Sequence, residues 1–383
     1  MTSETADDAV RLLQEMIRCA SVTPEAAGVF DVLEAALTPL GFTCERLRFE
    51  GDGSYPVDNL FATRGTAGKH LLFAGHTDVV PPGDAASWTH PPFAAEIADG
   101  LMYGRGTTDM KAGVAAFVAA LAAIPPEAGR ISLAITNDEE ADAVNGTDKL
   151  MQWAEAQGHR FDFCIVGEPS ATARVGDSIK IGRRGSLNGR ISVTGTQGHV
   201  AYPDKANNPL PVAAALLSSL SGKLDDGTEH FPPSNLEFTS VDVGNTTTNV
   251  IPAKVEMRFN IRHNDRWTPQ GLIDAVNEVI ANCDKRDCVV DFTTAGRPSP
   301  VFISEVGGGV EVLIETIARA TGIAPELSTA GGTSDGRFIA NYCPVVEFGT
   351  PGASMHKVDE HVRLEDLKAL VGLYRSFITD YFA

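Results

Sequence analysis

His76-Thr77-Asp78 follows directly on the apolar run His70-Leu71-Leu72-Phe73-Ala74-Gly75. A chain leaving a buried strand with His and Asp two residues apart turns both side chains to one face. That spacing suits an imidazole that binds a metal through one nitrogen and is oriented by a carboxylate at the other. Asp109, the adjacent pair Glu139-Glu140, Glu168 and His356 follow, each in a turn or at the end of an apolar segment. Two imidazoles and several carboxylates at such positions point to a two-metal hydrolytic site. Asp109 closes the Gly-rich turn Gly104-Arg105-Gly106-Thr107-Thr108-Asp109, which opens a helix and can push a carboxylate into a site. Glu139 and Glu140 must point differently, so one can bind metal while the other stays free as a base. Two like charges so close are costly without a cation between them. Singly, each residue has a plainer account: Asp78 as a helix cap, Glu139-Glu140 as a solvated loop, His356 as a surface side chain. Five at strand ends of one domain do not.

The elements that must position them alternate between helix and strand over the first ~180 residues, as in an α/β domain with a largely parallel sheet. Helices are predicted at Ala9–Arg18 and Val29–Leu37, and an Ala-rich buried one from Met110 to Ile124, stopped by Pro125-Pro126. Strands are predicted at Thr43–Phe49, Asn59–Arg64, His70–Ala74, Ile131–Thr136 and Phe163–Val166. In such sheets ligands gather beyond the carboxyl ends of the strands, where His76, Asp78, Glu139, Glu140 and Glu168 fall. The middle section then reads as strand Arg190–Gly195, helix Leu210–Leu224, strands Asn235–Val243 and Lys254–His263, helix Thr268–Cys283 and strand Val289–Thr294. That βαββαβ order is a ferredoxin-like unit inserted into the first domain. A helix at Gly309–Thr321, a strand at Val345–Phe348 and a closing helix at Leu364–Tyr381 return the chain to α/β. The expected division is 1–182 and 295–383 for a catalytic domain, with 183–294 inserted.

The 383 residues are long for one core, and 43% hydrophobic with 21% charged residues describe an ordinary globular protein. A net charge of -19 argues against a nucleic-acid partner and against an anionic membrane surface. An anionic substrate would therefore need local Arg or Lys in its pocket. The amino terminus lacks a basic segment followed by an apolar one, so no secretory signal is expected. No apolar stretch is long enough to span a bilayer. The six scattered cysteines read as reduced thiols of a cytoplasmic protein.

His76-Thr77-Asp78-Val79-Val80-Pro81, the Asp109 turn, Asn137-Asp138-Glu139-Glu140 and Val166-Gly167-Glu168-Pro169 together resemble the co-catalytic zinc peptidase and deacylase family. So do Gly182-Arg183-Arg184-Gly185-Ser186-Leu187, the stretch Thr329 to Phe338, and Met355-His356-Lys357-Val358-Asp359-Glu360, which separate members of that family. The resemblance covers essentially the whole chain. It implies a zinc-peptidase-like catalytic domain, an inserted dimerisation domain, and two Zn²⁺ per subunit, with Co²⁺ able to substitute. It implies that Asp109 bridges the metals, that His76 and Glu168 complete one site, and that Glu140 and His356 complete the other. Glu139 would be the general base, Asp78 would orient His76, and the Asp109-Met110 peptide would be cis. Glu at 168 points to the deacylase and carboxypeptidase side of the family. One local departure is Ala112 before Gly113, where relatives commonly have Gly directly after the Lys; Ala is small and no loss of the site is expected.

The same resemblance implies hydrolysis of an N-acyl amino acid amide in the cytoplasm by a homodimer. Glu139 would take a proton from the attacking water and pass it to the leaving amine. His199 would reach the oxyanion from across the dimer interface. The implied substrate is N-succinyl-LL-2,6-diaminopimelate, with N-acetylornithine as the nearest rival and a non-catalytic binding protein as a remote one. The implied substrate carries three carboxylates, which planar bidentate donors hold better than Lys. Arg183, Arg184, Arg262 and Arg337 are the candidates, with Asn249, Gly332, Thr333 and Ser334 as polar contacts.

Overall fold

The structure is a computed structural model that describes residues 3–383; Met1 and Thr2, part of the amino terminus read above as lacking a signal, lie outside the described residues. The chain divides into two compact units. One takes the chain up to Gly182, Ile303–Ser328 and Ser334–Ala383; the other takes Arg183–Phe302 and Thr329–Thr333.

The first unit is built on an eight-stranded sheet in the order Thr43–Gly51, Ser54–Arg64, Arg130–Thr136, His70–His76, Phe163–Val166, Val345–Glu347, Ser178–Lys180, Glu326–Ser328. The four central strands are parallel. The first three strands in that order pair antiparallel, so the sheet is mixed around the expected parallel centre. The reason is legible locally: Asp52 and Gly53 both have positive φ, 55° and 79°, which makes a two-residue hairpin turn whose twist matches its strands.

The four central strands are apolar on both faces because helices cover them. His70–His76 and Phe163–Val166 are buried at every position. The helix Ala112–Leu121 is likewise buried throughout and packs near Leu364–Phe382 and Ser3–Arg18. Phe73 stacks on Phe117 at 4.1 Å, and Tyr374 meets both rings edge-on. This core holds the strand ends in fixed register, with His76 opposite Thr136. The helix starts at Ala112, later than the Met110 expected, because Asp109 and Met110 have non-helical backbones. Thr147–Ala156 is a further helix not among the elements read above; its buried Leu150, Met151 and Ala154 form its apolar face. No helix among the described residues is long and apolar enough to cross a membrane.

The second unit has a five-stranded antiparallel sheet in the order Gly222–Lys223, Asn235–Asp242, Lys254–His263, Gly185–Thr194, Val289–Ser299. Helices Leu210–Leu220 and Pro269–Asn282 pack on its own apolar core. Omitting the short Gly222–Lys223 strand and other two-residue strands, its elements follow the βαββαβ order.

Candidate metal centre

Each central parallel strand of the first unit delivers side chains just beyond its carboxyl end. His76 ends one, Glu139 and Glu140 follow Thr136, Glu168 follows Val166, and His356 follows Glu347 further on. Asp109 comes from the turn before Ala112–Leu121, and the Asp109-Met110 peptide is cis, as expected.

These side chains converge. His76 Nε2 lies 3.2 Å from Asp109 Oδ1 and 3.6 Å from Glu168 Oε1. His356 Nε2 lies 3.2 Å from Asp109 Oδ2 and 3.1 Å from Glu140 Oε1. Each oxygen of Asp109 thus faces a different imidazole. Among the described residues, His76, Glu139 and Glu168 place one ligand atom each within 4.8 Å of one another, as do His76, Asp109 and Glu140.

Asp78 orients His76 differently from the reading above. Its backbone carbonyl, at 2.9 Å, is the close partner of His76 Nδ1, and its carboxylate stands at 3.6 Å. The carboxylate instead accepts the amides of Glu139 and Glu140, at 3.3 and 3.1 Å, and the Thr23 hydroxyl at 2.7 Å. One buried residue, through its carbonyl and its carboxylate, therefore ties the first imidazole to the backbone that carries both glutamates.

Close backbone approach sets the remaining geometry. A Cβ on Gly113 would lie 2.1 Å from the carbonyl oxygen of Gly167, the residue before Glu168. The contact is made by Gly113 and not by its neighbour Ala112.

The charges explain what the site lacks without cations. Burial, then Asp109, pushes Glu168 up to about 8. Burial raises Glu139 well above the carboxylate range; His76 opposes this, while Glu168, Asp335 and Glu140 add to it. Burial disfavours a charged His76, but the nearby carboxylates of Asp109, Asp78 and Glu168 outweigh it and raise the imidazole well above its usual value. Hydrogen bonds to Asp109 and Glu140 raise His356 to about 10. Burial opposes ionisation of Asp109, yet the bonds from His356 and His76 hold it below the usual range. The crowding of carboxylates favours positive charge among them. Mixed imidazole and carboxylate donors around a shared carboxylate fit a pair of divalent first-row ions.

The other predicted site residues fall into three places. His199 and Asn249 meet on the second unit: His199 pairs with Val250, and Val200 N donates to Asn249 O at 3.2 Å. Both are exposed. Arg183, Arg184 and Arg262 also lie there, with Arg183 donating to Ala330 O at 3.0 Å, beside the segment that carries Gly332 and Thr333. Burial, then Arg184 and Arg183, lowers Arg262. Ser334 and Arg337 belong to the first unit. The Ser334 hydroxyl is buried and donates to Glu347, and Arg337 donates to Ser334 O at 2.9 Å and lies over Phe338. Thr23 and Glu360, which hold ligand-bearing segments, are not among the residues assigned roles from the sequence. Only the nearness of Glu360 to His356 in the chain hints at its part.

The sequence profile of "Peptidase family M20/M25/M40" matches residues 72–380. A succinyl-diaminopimelate desuccinylase of Rhodopseudomonas palustris (strain BisB18) is 50% identical over 390 residues, covering 99% of each chain. An M20 family metallo-carboxypeptidase from Sulfolobus solfataricus superposes with a TM-score of 0.81 at 16% identity, over 98% of this chain and 99% of that one. A dinuclear metal binding peptidase of the M20 family from Bacillus subtilis superposes with a TM-score of 0.72 at 15% identity, over 98% of both chains.

Proposed function

This chain belongs to peptidase family M20/M25/M40, and on that premise we propose that it hydrolyses the amide of N-succinyl-LL-2,6-diaminopimelate to succinate and LL-2,6-diaminopimelate. The observation that carries the two-metal reading is that the two oxygens of Asp109 each face a different imidazole. The choice of substrate is supported by the full-length identity to a desuccinylase.

His76 and Glu168 would hold one ion, Glu140 and His356 the other, and Asp109 both. Zinc suits this donor set, and cobalt shares its preferences. When bound, the ions supply Lewis-acid polarisation and lower the pKa of water. Glu139 is left free of that set as the base. Its surroundings favour the protonated form, so it can take a proton from water and release it to the leaving amine. Asp78 keeps Glu139 in place through its amide.

The second unit serves as the lid and dimerisation domain in this reading. His199 is the oxyanion donor from the partner subunit, and Arg183, Arg184, Arg262 and Arg337 with Asn249 and the Gly332-Thr333-Ser334 turn contact the substrate's carboxylates. The enzyme is a cytoplasmic homodimer of a biosynthetic pathway. A non-catalytic relative would have lost a ligand or the base, and all are present. The test is turnover on N-succinyl-LL-2,6-diaminopimelate and on N-acetylornithine, with and without added zinc. Zinc-dependent turnover of the first in clear preference to the second is expected; the reverse preference would overturn the assignment.

A further inference from the structure

Glu360 is fully buried. Its Oε1 accepts the amides of Gly106, Thr108 and Asp109 at 3.1, 2.9 and 3.2 Å. Its Oε2 pairs with Arg105 Nη1 at 2.6 Å, and its backbone carbonyl accepts Gly104 N at 2.8 Å. One carboxylate therefore caps three amides of the turn that ends in Asp109. Side chains around it extend the tie. Thr108 Oγ1 lies 2.9 Å from Ser354 Oγ and donates to His361 O at 2.8 Å. Arg105 also reaches Lys357 O at 3.3 Å and lies over the Trp88 ring.

Glu360 follows His356 by four residues, so this cluster joins the turn carrying Asp109 to the turn carrying His356. The second turn needs such a tie. His356 and Asp359 both sit in the left-handed region, with φ of 62° and 56°. A side-chain-bearing residue held there costs ~1–2 kcal/mol, so the turn keeps this shape only while its surroundings enforce it. His76 has no such need: it ends a central strand and is fixed by Asp78 O. A buried anion beside a site already rich in carboxylates is electrostatically unfavourable. Its three amides and the Arg105 ion pair satisfy it, and breaking one partner of such a set is costly.

We propose that Glu360 is a positioning residue that sets the affinity of the metal held by Asp109, Glu140 and His356, and much less that of the metal held by His76 and Glu168. The inference rests on the two-metal reading above. Both ligands tied through Glu360, Asp109 and His356, serve the first of these metals, whereas the other shares only Asp109 and keeps His76 on its strand and Glu168 after its own.

The test compares full-length wild type, Glu360→Gln and Glu360→Asp, dialysed against a series of buffered free-zinc concentrations. Bound zinc per chain is measured together with far-UV circular dichroism, kcat and KM. Glu360→Gln keeps the shape but removes the charge. It should hold one zinc as wild type does, and need about 10–100-fold more free zinc for the second, the usual cost of removing a group that orients a ligand. Its kcat should recover as zinc is raised, at a nearly unchanged KM. Glu360→Asp keeps the charge but is one methylene short of the amides. It should show the same split to a smaller degree, and it decides the matter if the Gln variant does not fold. If both half-saturations move by one factor, or neither moves, in a variant with wild-type dichroism, the inference is overturned. A wild type that binds fewer than two zinc ions would instead overturn the two-metal reading, and this inference with it.

Discussion

Gly113→Ala should be destabilising, although replacing glycine by alanine inside a helix ordinarily helps. Gly113 is the second residue of the helix Ala112–Leu121, and helix propensity alone would favour Ala by ~1 kcal/mol. Against this, the new Cβ would meet Gly167 O at 2.1 Å, Gly167 C at 2.9 Å and Gly167 Cα at 3.0 Å. All three are backbone atoms, and ordinary contact begins near 3.4 Å. Helix or turn must therefore shift by about an ångström, and overpacking of this kind costs ~1–3 kcal/mol or more. With contacts this short the clash lies toward the upper end of that range and outweighs the propensity gain, leaving a net loss of up to about 2 kcal/mol. The shift falls on the residue before Glu168, and a ligand or reacting group displaced by ~1 Å costs on the order of 10²-fold in rate. Urea unfolding of the zinc-loaded protein, zinc content and kcat measure the effect. Ala112→Gly is the control: it should lose ~1 kcal/mol of stability or somewhat more and keep kcat. A Gly113→Ala variant as stable and active as wild type would refute the packing argument.

Glu139→Ala should retain its metal and lose kcat by ~10²–10⁴-fold or more, whereas Glu140→Ala should lose metal; metal analysis with the reverse pattern would exchange their roles. Zinc affinity should rise with pH, because His356 titrates at about 10 in the metal-free site and its proton must leave before its nitrogen can bind. The expected slope below that pH is up to ~tenfold per unit for each proton displaced, and calorimetry in two buffers of different ionisation enthalpy should detect proton release. A pH-independent affinity would show that these protons are not in the way. If His199 acts across a dimer, a heterodimer of Glu139→Ala and His199→Ala chains has one intact site and should recover toward half of wild-type activity. Absence of recovery in a folded, zinc-loaded heterodimer would place His199 in its own subunit's chemistry or outside it.

Much of the metal centre is written locally. His76 closes an apolar strand, and the Glu139-Glu140 pair and Glu168 lie two to four residues beyond theirs, so the pattern of apolar strands marks them as candidates. The Asp52-Gly53 turn is equally local, and would have marked the antiparallel edge of the sheet. Other features are not local. Ser178–Lys180 and Glu326–Ser328 are three-residue strands, too short for any periodicity to show. Asp78 reads as a carboxylate behind an imidazole. That its carbonyl takes this part, while the carboxylate holds two amides more than sixty residues on, depends on two strand ends lying side by side. Glu360 is harder still, since its partners lie about 250 residues earlier in the chain. Its short distance from His356 in sequence hints at a part in that turn, but not that it caps the Asp109 turn.

The strand Val345–Glu347 lies in the first sheet against Phe163–Val166, yet it is synthesised after all of the second unit. During translation the wholly apolar edge Phe163-Cys164-Ile165-Val166 has no neighbour on that side. At ~5–20 residues per second, the roughly 180 residues between the two strands take about 10–40 s to appear. The long strands and both helices of the second unit are made in that interval, and it has its own core to form around. The half-built first unit meanwhile presents an unpaired strand edge, the kind of surface that other chains can pair with. The nascent protein is thus expected to depend on holding chaperones for longer than its size alone would suggest. Moving residues 345–383 to the amino terminus by circular permutation should shorten that dependence.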